Sequence, residues 1–351
     1  METVGFAIVG AGMIAHHCGE EINAHENGKI VAATDINETR LKALQASLKI
    51  PSIYSQAEEM FADPAVDAVY IAVPNKFHAP LSIQALEAGK HVILDKPFAL
   101  NFEEAAAVAA AAKRSGKLFT LGMNFRFMPG AQNIRSQVAA GKLGDIYHIK
   151  SFIYRRAGIP KFGTWFSQKE MSGGGVMLDV GVHILDVALY IIDNFEPVSV
   201  SGKTYREFGH RGIGEGGWGM SDAGDHKFDV EDFATALIRM KNGMTVDLDV
   251  SWAIHRKDEG SMDVQLFGSE GGATVFPAEI FKYGPGEGEY QIVQNPKGEL
   301  RHPHKNRFHN FINAILGTEE LCVTIDQALA VQKILDGIYK SSEEGMEVRF
   351  S

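Results

Sequence analysis

The sequence predicts an α/β chain in two parts: a parallel sheet buried on both faces, then an α+β region holding an antiparallel sheet with unlike faces. Three observations predict it. The first third alternates short apolar, β-rich runs with helical patterns. A glycine-rich turn, Gly10-x-Gly12-x-x-Ala15, joins the first strand to the first helix. Farther on, two strand-like runs meet at Asn242-Gly243, a pair suited to a type I′ turn.

The elements follow in order. "VGFAIVG" (4–10) precedes a helix from about Met13, and "KIVAATD" (29–35) one near Glu38–Leu48. "DAVYIAVP" (67–74) precedes a helix near Ala79–Ala88, and "HVILD" (91–95) one from about Phe102 to Arg114; "LFTLGM" (118–123) closes the series. Continuously apolar strands alternating with helices imply parallel pairing. After about residue 124 the pattern changes. "DIYHIKSFIYRR" (145–156) reads as a strand, followed by a helix through residues 172–186. In the second arm of the 232–252 hairpin, Val246, Leu248, Val250 and Trp252 alternate with Thr245, Asp247, Asp249 and Ser251. "MDVQLFG" and "GATVF" extend that sheet, and 325–345 is helical by its i, i+3/i+4 spacing. Residues 209–224 hold seven glycines, which reads as a functional loop, an oligomer contact or a solvated loop.

Composition narrows the function. The 351 residues suffice for two domains of ~150 residues. Lys and Arg number 34 against 44 Asp and Glu, a net charge of −10, which argues against a general nucleic-acid or anionic-membrane surface. Cys18 and Cys322 lie in different halves and give neither a disulfide framework nor a metal-ligand spacing. A cytoplasmic setting fits. A strand beginning by Val4 leaves no room for a signal peptide, and no apolar stretch is expected to reach the ~18 residues of a membrane span.

The candidate site begins at the glycine turn. Gly10 permits the tight turn, Gly12 lets the backbone approach a pyrophosphate, and Ala15 allows close helix–strand packing. The helix start at Met13 and Ile14 then turns free N–H groups toward phosphates. Asp35 ends the second strand, where a carboxylate can accept hydrogen bonds from ribose hydroxyls and repel a 2′-phosphate, which favours NAD over NADP. Arg40 is the counter-argument, since it can pair with that phosphate. Pro74, Asn75 and His78 follow a strand's C-terminal end; Asn75 and His78 are expected to touch the cofactor, although His78 also suits a helix start. Asp95-Lys96-Pro97 ends the next strand and points Lys96 toward the same crevice, with a cis bond before Pro97 allowed.

"SGGGVMLDVGVHILD" (172–186) is the most informative stretch of the second part. As one helix it sets Asp179, His183 and Asp186 on one face, continued by Tyr190. Burying such groups without partners is costly, so the trio is catalytic, structural or metal-ligating. Asp186 either orients His183 or makes a packing contact. Asn124 and Arg126 follow the last strand of the first part and line a cleft. Tyr154, Arg155 and Arg156 end a strand, and Trp165 suits a sugar-facing wall. "LRHPHKNRFHNF" (300–311) has no defensible metal spacing: His302 and His304 read as loop and His309 as a helix start.

Gly10-x-Gly12-x-x-Ala15, Val73-Pro74-Asn75 with His78, Lys96-Pro97, and Gly173-Gly174-Gly175 leading to Asp179 and His183 occur in one order. Together they resemble the glucose-fructose oxidoreductase / inositol dehydrogenase / rhizopine catabolism (Gfo/Idh/MocA) family over nearly the whole chain. The resemblance implies a Rossmann dinucleotide-binding domain (1–123) and a C-terminal α+β domain (124–351) with a large, open, mostly antiparallel sheet used for dimer or tetramer contacts. A C-terminal helix, about 325–342, would return toward the Rossmann domain. It also implies a catalytic set of Lys96, Asp179 and His183, with substrate contacts from Tyr154, Arg155 and Arg156, beside which Arg126 and Trp165 are expected as further contacts. In this reading glycines 173–175 let the helix start close to the ligand. One departure is Asp95, where the family usually has Glu before Lys-Pro.

The expected activity is hydride transfer between a nicotinamide and a sugar, sugar derivative or cyclitol. NAD is the expected cofactor, with no metal, nucleic acid or membrane. Two alternatives keep the same motifs: an NAD-dependent glycoside hydrolase, and a non-catalytic NAD-binding sugar sensor.

Overall fold

The computed structural model describes residues 3–220, 227–286, 288–298, 300–302 and 306–350. The chain divides into two compact units: residues 1–123 with 170–173 and 306–329, and residues 124–169 with 174–305 and 330–351.

The first unit carries a six-stranded, all-parallel sheet in the order β3-β2-β1-β4-β5-β6. Its strands are β1 (Val4–Val9), β2 (Gly28–Thr34), β3 (Ser52–Tyr54), β4 (Ala68–Ile71), β5 (His91–Leu94) and β6 (Phe119–Leu121). Its helices are α1 (Met13–Asn23), α2 (Glu38–Leu48), α3 (Ala57–Phe61), α4 (His78–Glu87) and α5 (Phe102–Ser115). Every residue of β1 and β4 is buried, as parallel strands covered on both faces require. The chain order reverses between β1 and β4, the switch point where sheets of this kind bind ligands beyond the strands' C-terminal ends.

The segment that rejoins this unit is 306–329. It holds the helix Arg307–Ile315, and Phe308, Phe311 and Ile312 bury themselves in the core around β1 and β4. Phe311 meets Phe6 and Phe308 meets Tyr70, both edge to face. Each such side chain contributes roughly 1.5–3 kcal/mol of burial. Only the start of the C-terminal helix (Ile325–Glu344) shares this unit, because the boundary falls at residue 329.

The second unit is built on a nine-stranded sheet. Its strands are β7 (Ile146–Arg155), β8 (Pro197–Tyr205), β9 (Phe233–Met240), β10 (Thr245–Ser251), β11 (Gly260–Gly268), β12 (Gly272–Val275), β13 (Ala278–Tyr283), β14 (Tyr290–Gln294) and β15 (Val348–Arg349). The order is β14-β13-β12-β11-β7-β10-β9-β8-β15, antiparallel except for β7 with β10. Helix α6 (Pro129–Ala139) and a long helical stretch ending at Ile192 pack on one face. That face takes Val246, Leu248 and Val250, all fully buried, whereas Thr245, Asp247 and Asp249 point the other way and are half-buried.

Several expectations need correction. The β9–β10 hairpin forms, but its turn is not type I′. That turn needs positive φ at both central residues, and here only Gly243 has it, at +89°. Gly243 N–H reaches Met240 O at 3.0 Å and Met240 N–H reaches Met244 O at 2.9 Å, which describes a three-residue loop closed by a left-handed glycine. The stretch 172–186 is not one regular helix. A short helix, α7 (Lys169–Ser172), ends before the glycines; a π-helical turn follows at Met177–Gly181 and then α8 (Val182–Ile192). α9 (Arg307–Ile315) and α10 (Ile325–Glu344) complete the α-helices of the described residues, and short 3-10 turns lie at Asn75–Phe77, Asn124–Phe127, Trp165–Ser167 and Gly209–Arg211. The run Lys169–Ile192 is also long and apolar enough to cross a membrane, contrary to the sequence expectation, yet 83% of its most apolar window is buried inside the fold, as in a core helix.

Candidate active site

In the first unit the phosphate end is shaped as the glycine turn requires. Gly10 sits at φ +99°, and a Cβ there would lie 2.3 Å from Ala72 O. Gly12 caps α1 with no side-chain cap, and a Cβ there would meet nothing within 4 Å. No acid occupies the helix's first turn. Free N–H groups facing open space, with a favourable dipole, suit a pyrophosphate. Met13 is exposed and Ile14 half-buried beside it, and Ala15 is fully buried. Asp35 accepts hydrogen bonds from Ala11 N–H at 2.5 Å and Asn37 N–H at 2.6 Å, which ties the end of β2 to the glycine turn. Arg40 lies in the first turn of α2 and is half-buried.

The next loop departs from expectation. His78 does begin α4, but its ring is 1% exposed. Nδ1 lies 2.7 Å from Pro97 O and Nε2 3.0 Å from Val73 O. Burial pushes its pKa down, against the pull of those two carbonyls. His78 therefore braces the loop after β4 against the loop after β5. Asn75 is also buried, its Nδ2 donating to Ser172 O at 2.7 Å, while Pro74 is half-buried at the rim.

Asp95 turns inward. Its Oδ2 accepts from the Tyr70 hydroxyl at 3.2 Å and its Oδ1 from Lys96 N–H at 2.9 Å. Cys18 completes this cluster, its Sγ accepting from Tyr70 at 3.3 Å and from Arg307 Nη2 at 3.1 Å. Burial raises the Cys18 thiol to about 11, against the lowering effect of Arg307. The shorter acid thus shapes the backbone at Lys96. The Lys96–Pro97 bond is cis, and the Lys96 side chain is half-buried.

In the second unit, every residue from 174 to 191 is buried except Asp179 and His183. Asp179 Oδ2 accepts from the Trp252 indole N–H at 2.8 Å, and the His183 ring stacks on Phe125 at 4.8 Å. Asp186 does not join them. It is fully buried and bound to Arg126, whose Nε and Nη2 donate at 2.8 and 2.6 Å. Arg126 is 0% exposed, with its guanidinium over the rings of Tyr190 and Phe195. The geometry thus gives Asp186 a buried partner in Arg126, where the sequence offered it His183 or a packing contact and placed Arg126 toward substrate.

The glycines have a different use from the one expected. A Cβ on Gly174 would lie 2.1 Å from the Tyr339 hydroxyl, and one on Gly175 would lie 2.0 Å from Glu231 O. Gly174 and Gly175 admit neighbouring protein. This draws attention to Glu231 and Asp232, which sequence reasoning missed. Glu231 accepts from Gly175 N–H, Met177 N–H and the Tyr339 hydroxyl. Asp232 accepts from the N–H groups of Glu207, Phe208 and Gly209, anchoring the start of the glycine-rich segment. Two adjacent acids before an apolar strand were the available signal, since buried carboxylates demand donors.

The remaining candidates separate. Tyr154 lies on the uncovered sheet face, donating to Asp249 at 2.7 Å, away from the face that takes Val250. Arg156 is exposed and reaches Lys257 O and Glu259. Arg155 alternates with Tyr154 and so shares the covered face with Ile153. Asn124 is exposed. Trp165 stacks on Phe166 at 3.9 Å, which meets the exposed Trp218 edge to face at 5.0 Å. Of the glycine-rich segment, 209–220 is described and 221–224 lie outside the described residues; Gly214 O accepts from Gly158 and Ile159 N–H. His302 is buried in a loop, His304 lies outside the described residues, and His309 is in α9, which starts two residues earlier. Among the described residues no three His, Cys, Asp or Glu gather as metal ligands.

Comparison with known proteins decides the family. Residues 4–123 match the oxidoreductase family with an NAD-binding Rossmann fold, and residues 131–274 match the GFO/IDH/MocA C-terminal domain. The chain belongs to the GFO/IDH/MocA family. It is 30% identical to D-glucoside 3-dehydrogenase of Escherichia coli (strain K12) over 345 residues, 97% of this chain and 96% of that protein. An NAD-binding protein from Listeria innocua is 27% identical, with a TM-score of 0.81 over 99% of this chain and 97% of that one. A levoglucosan dehydrogenase solved with NADH and levoglucosan shares the fold, with a TM-score of 0.84 at 19% identity over 99% of each chain. The first unit is thus an NAD-binding Rossmann domain, in a family of NAD(P)-dependent dehydrogenases of sugars and cyclitols.

Proposed function

We propose that this protein is an NAD-dependent dehydrogenase or ketoreductase of a sugar, sugar derivative or cyclitol. The observation that carries the reading is that Asp179 and His183 alone reach the surface from an otherwise buried stretch, 174–191. A core helix that keeps two polar side chains accessible, and holds one through Trp252, is arranged for a ligand.

When bound, NAD supplies the hydride acceptor. The protein's part is orientation and proton transfer. Gly12, Met13 and Ile14 offer backbone N–H groups to the phosphates, and Asp35 favours a ribose diol over a 2′-phosphate. His183 takes the hydroxyl proton, the role of general base that an imidazole most often fills. Asp179 holds a substrate hydroxyl or steadies the cationic histidine, and the indole N–H keeps its carboxylate aimed. The Lys96 ammonium stabilises the developing alkoxide. Arg155 and Trp165 serve as contacts to the sugar.

The test is a screen of hexoses, inositols, anhydrosugars and glycosides with NAD and with NADP. Reduced cofactor forming with NAD and at least one of these compounds supports the reading. No turnover across the panel removes it in favour of a sugar sensor, and tighter NADP binding overturns the cofactor assignment.

A further inference from the structure

Glu231 lies two residues before β9 and is 7% exposed. Its side chain receives Gly175 N–H at 2.9 Å, Met177 N–H at 3.0 Å and the Tyr339 hydroxyl at 2.8 Å. Its own carbonyl receives Val176 N–H at 3.1 Å. One residue thus holds three successive amides at the entry to the π-turn that carries Asp179. Val176, which caps that turn, contributes no side-chain cap of its own. A second route starts at the next residue. Asp232 O accepts Trp252 N–H at 2.8 Å, and the Trp252 indole N–H then reaches Asp179 Oδ2.

We propose that Glu231 is a positioning residue of the reaction: it fixes the π-turn, and with it the carboxylate of Asp179, without touching substrate or cofactor. The proposal rests on the roles assigned above to Asp179 and His183. Burial raises the Glu231 pKa, against the lowering effect of the Met177 and Gly175 amides and the Tyr339 hydroxyl. An ionised carboxylate can accept all three side-chain hydrogen bonds, and it complements the positive end of a helix. A carboxamide of the same shape accepts on its oxygen alone and sets an NH2 group against an N–H donor. A π-turn is an irregular element often found at functional sites. Its regular alternative, an α-turn, would rotate Asp179 relative to His183, so an anchor at the entry governs which way Asp179 points.

The test compares wild type with Glu231→Gln and Tyr339→Phe in the full chain. Amide hydrogen exchange is followed over 176–183, with kcat and its pH profile on the sugar that the screen finds best. Glu231→Gln is expected to speed exchange in that segment about tenfold, the order expected for one buried donor left unmatched. It should lower kcat by a similar factor and displace the acid limb of the kcat profile, with NAD affinity retained. Tyr339→Phe, which removes a single donor, is expected to move each readout the same way by less. Native exchange and a native pH profile in both variants would overturn the proposal. So would a fall in kcat that only tracks the fraction unfolded. If wild type turns over no sugar, the proposed function fails, and exchange alone decides the anchoring: faster exchange confined to 176–183 upholds it, and unchanged exchange sinks it.

Discussion

Removing the His183 imidazole or the Lys96 ammonium should separate binding from chemistry. Neither belongs to the glycine turn proposed to receive the phosphates, so His183→Ala and Lys96→Ala are expected to bind NAD nearly normally. Each should lose ~10²–10⁴ of turnover, the usual contribution of a positioned proton-transfer group. Steady-state kinetics with a cofactor titration checks this, and wild-type kcat across pH in His183→Ala would remove the residue as base. Single residues were legible where their chemistry forces their place. Gly10 had to be glycine because its φ is +99° and Ala72 O leaves no room for a Cβ. His78 was legible as a helix start, but its bracing of two buried carbonyls was not, because a histidine beside such a loop looks the same in sequence whichever way its ring turns. Arg126 and Asp186 are 60 residues apart, and no local pattern announces that they meet.

At the scale of elements, the Arg126–Asp186 pair ties the start of the second unit to α8. Both side chains are essentially inaccessible, at 0% and 1% exposure. Losing one partner strands the other charge, so Arg126→Ala or Asp186→Ala should destabilise by about 3–5 kcal/mol. Chemical denaturation measures this, and a loss below about 1 kcal/mol would mean that water reaches the stranded charge. Regular elements with strong periodicity, such as α2 and β10, were legible almost to the residue. The π-turn was not, because one extra residue per turn leaves the apolar pattern of "VMLDVGVHILD" intact. β3, β8, β13, β14 and β15 also escaped. They are short, lie toward the sheet edges or alternate weakly, and pairing rather than local sequence makes them strands.

At the scale of the molecule, the pattern of strands and helices indicated two parts, and the family resemblance implied a C-terminal helix that returns. Which residues return depended on packing: Phe308 and Phe311 of α9 belong to the first core, while α10 from residue 330 onward belongs to the second unit. The glycine-rich segment is pinned at its start by Asp232 and lies along residues 158–161 through Gly214 and Trp218 carbonyls. Exchange protection in 209–220 is expected to rise when cofactor and sugar bind together, with Trp218 losing exposure. Unchanged protection in the ternary complex would leave the segment as a plain surface loop.

The central claim is direct hydride transfer from a sugar carbon to NAD, without cleavage of the sugar skeleton or its glycosidic bond. The most direct measurement follows deuterium from a carbon-deuterated substrate, chosen from the screen, into the cofactor during a single turnover. The account predicts one deuterium in the reduced nicotinamide for each keto product formed, with the rate collapsing in His183→Ala. Cleaved glycoside with no net reduced cofactor, or product formed while the nicotinamide stays free of deuterium, would contradict it.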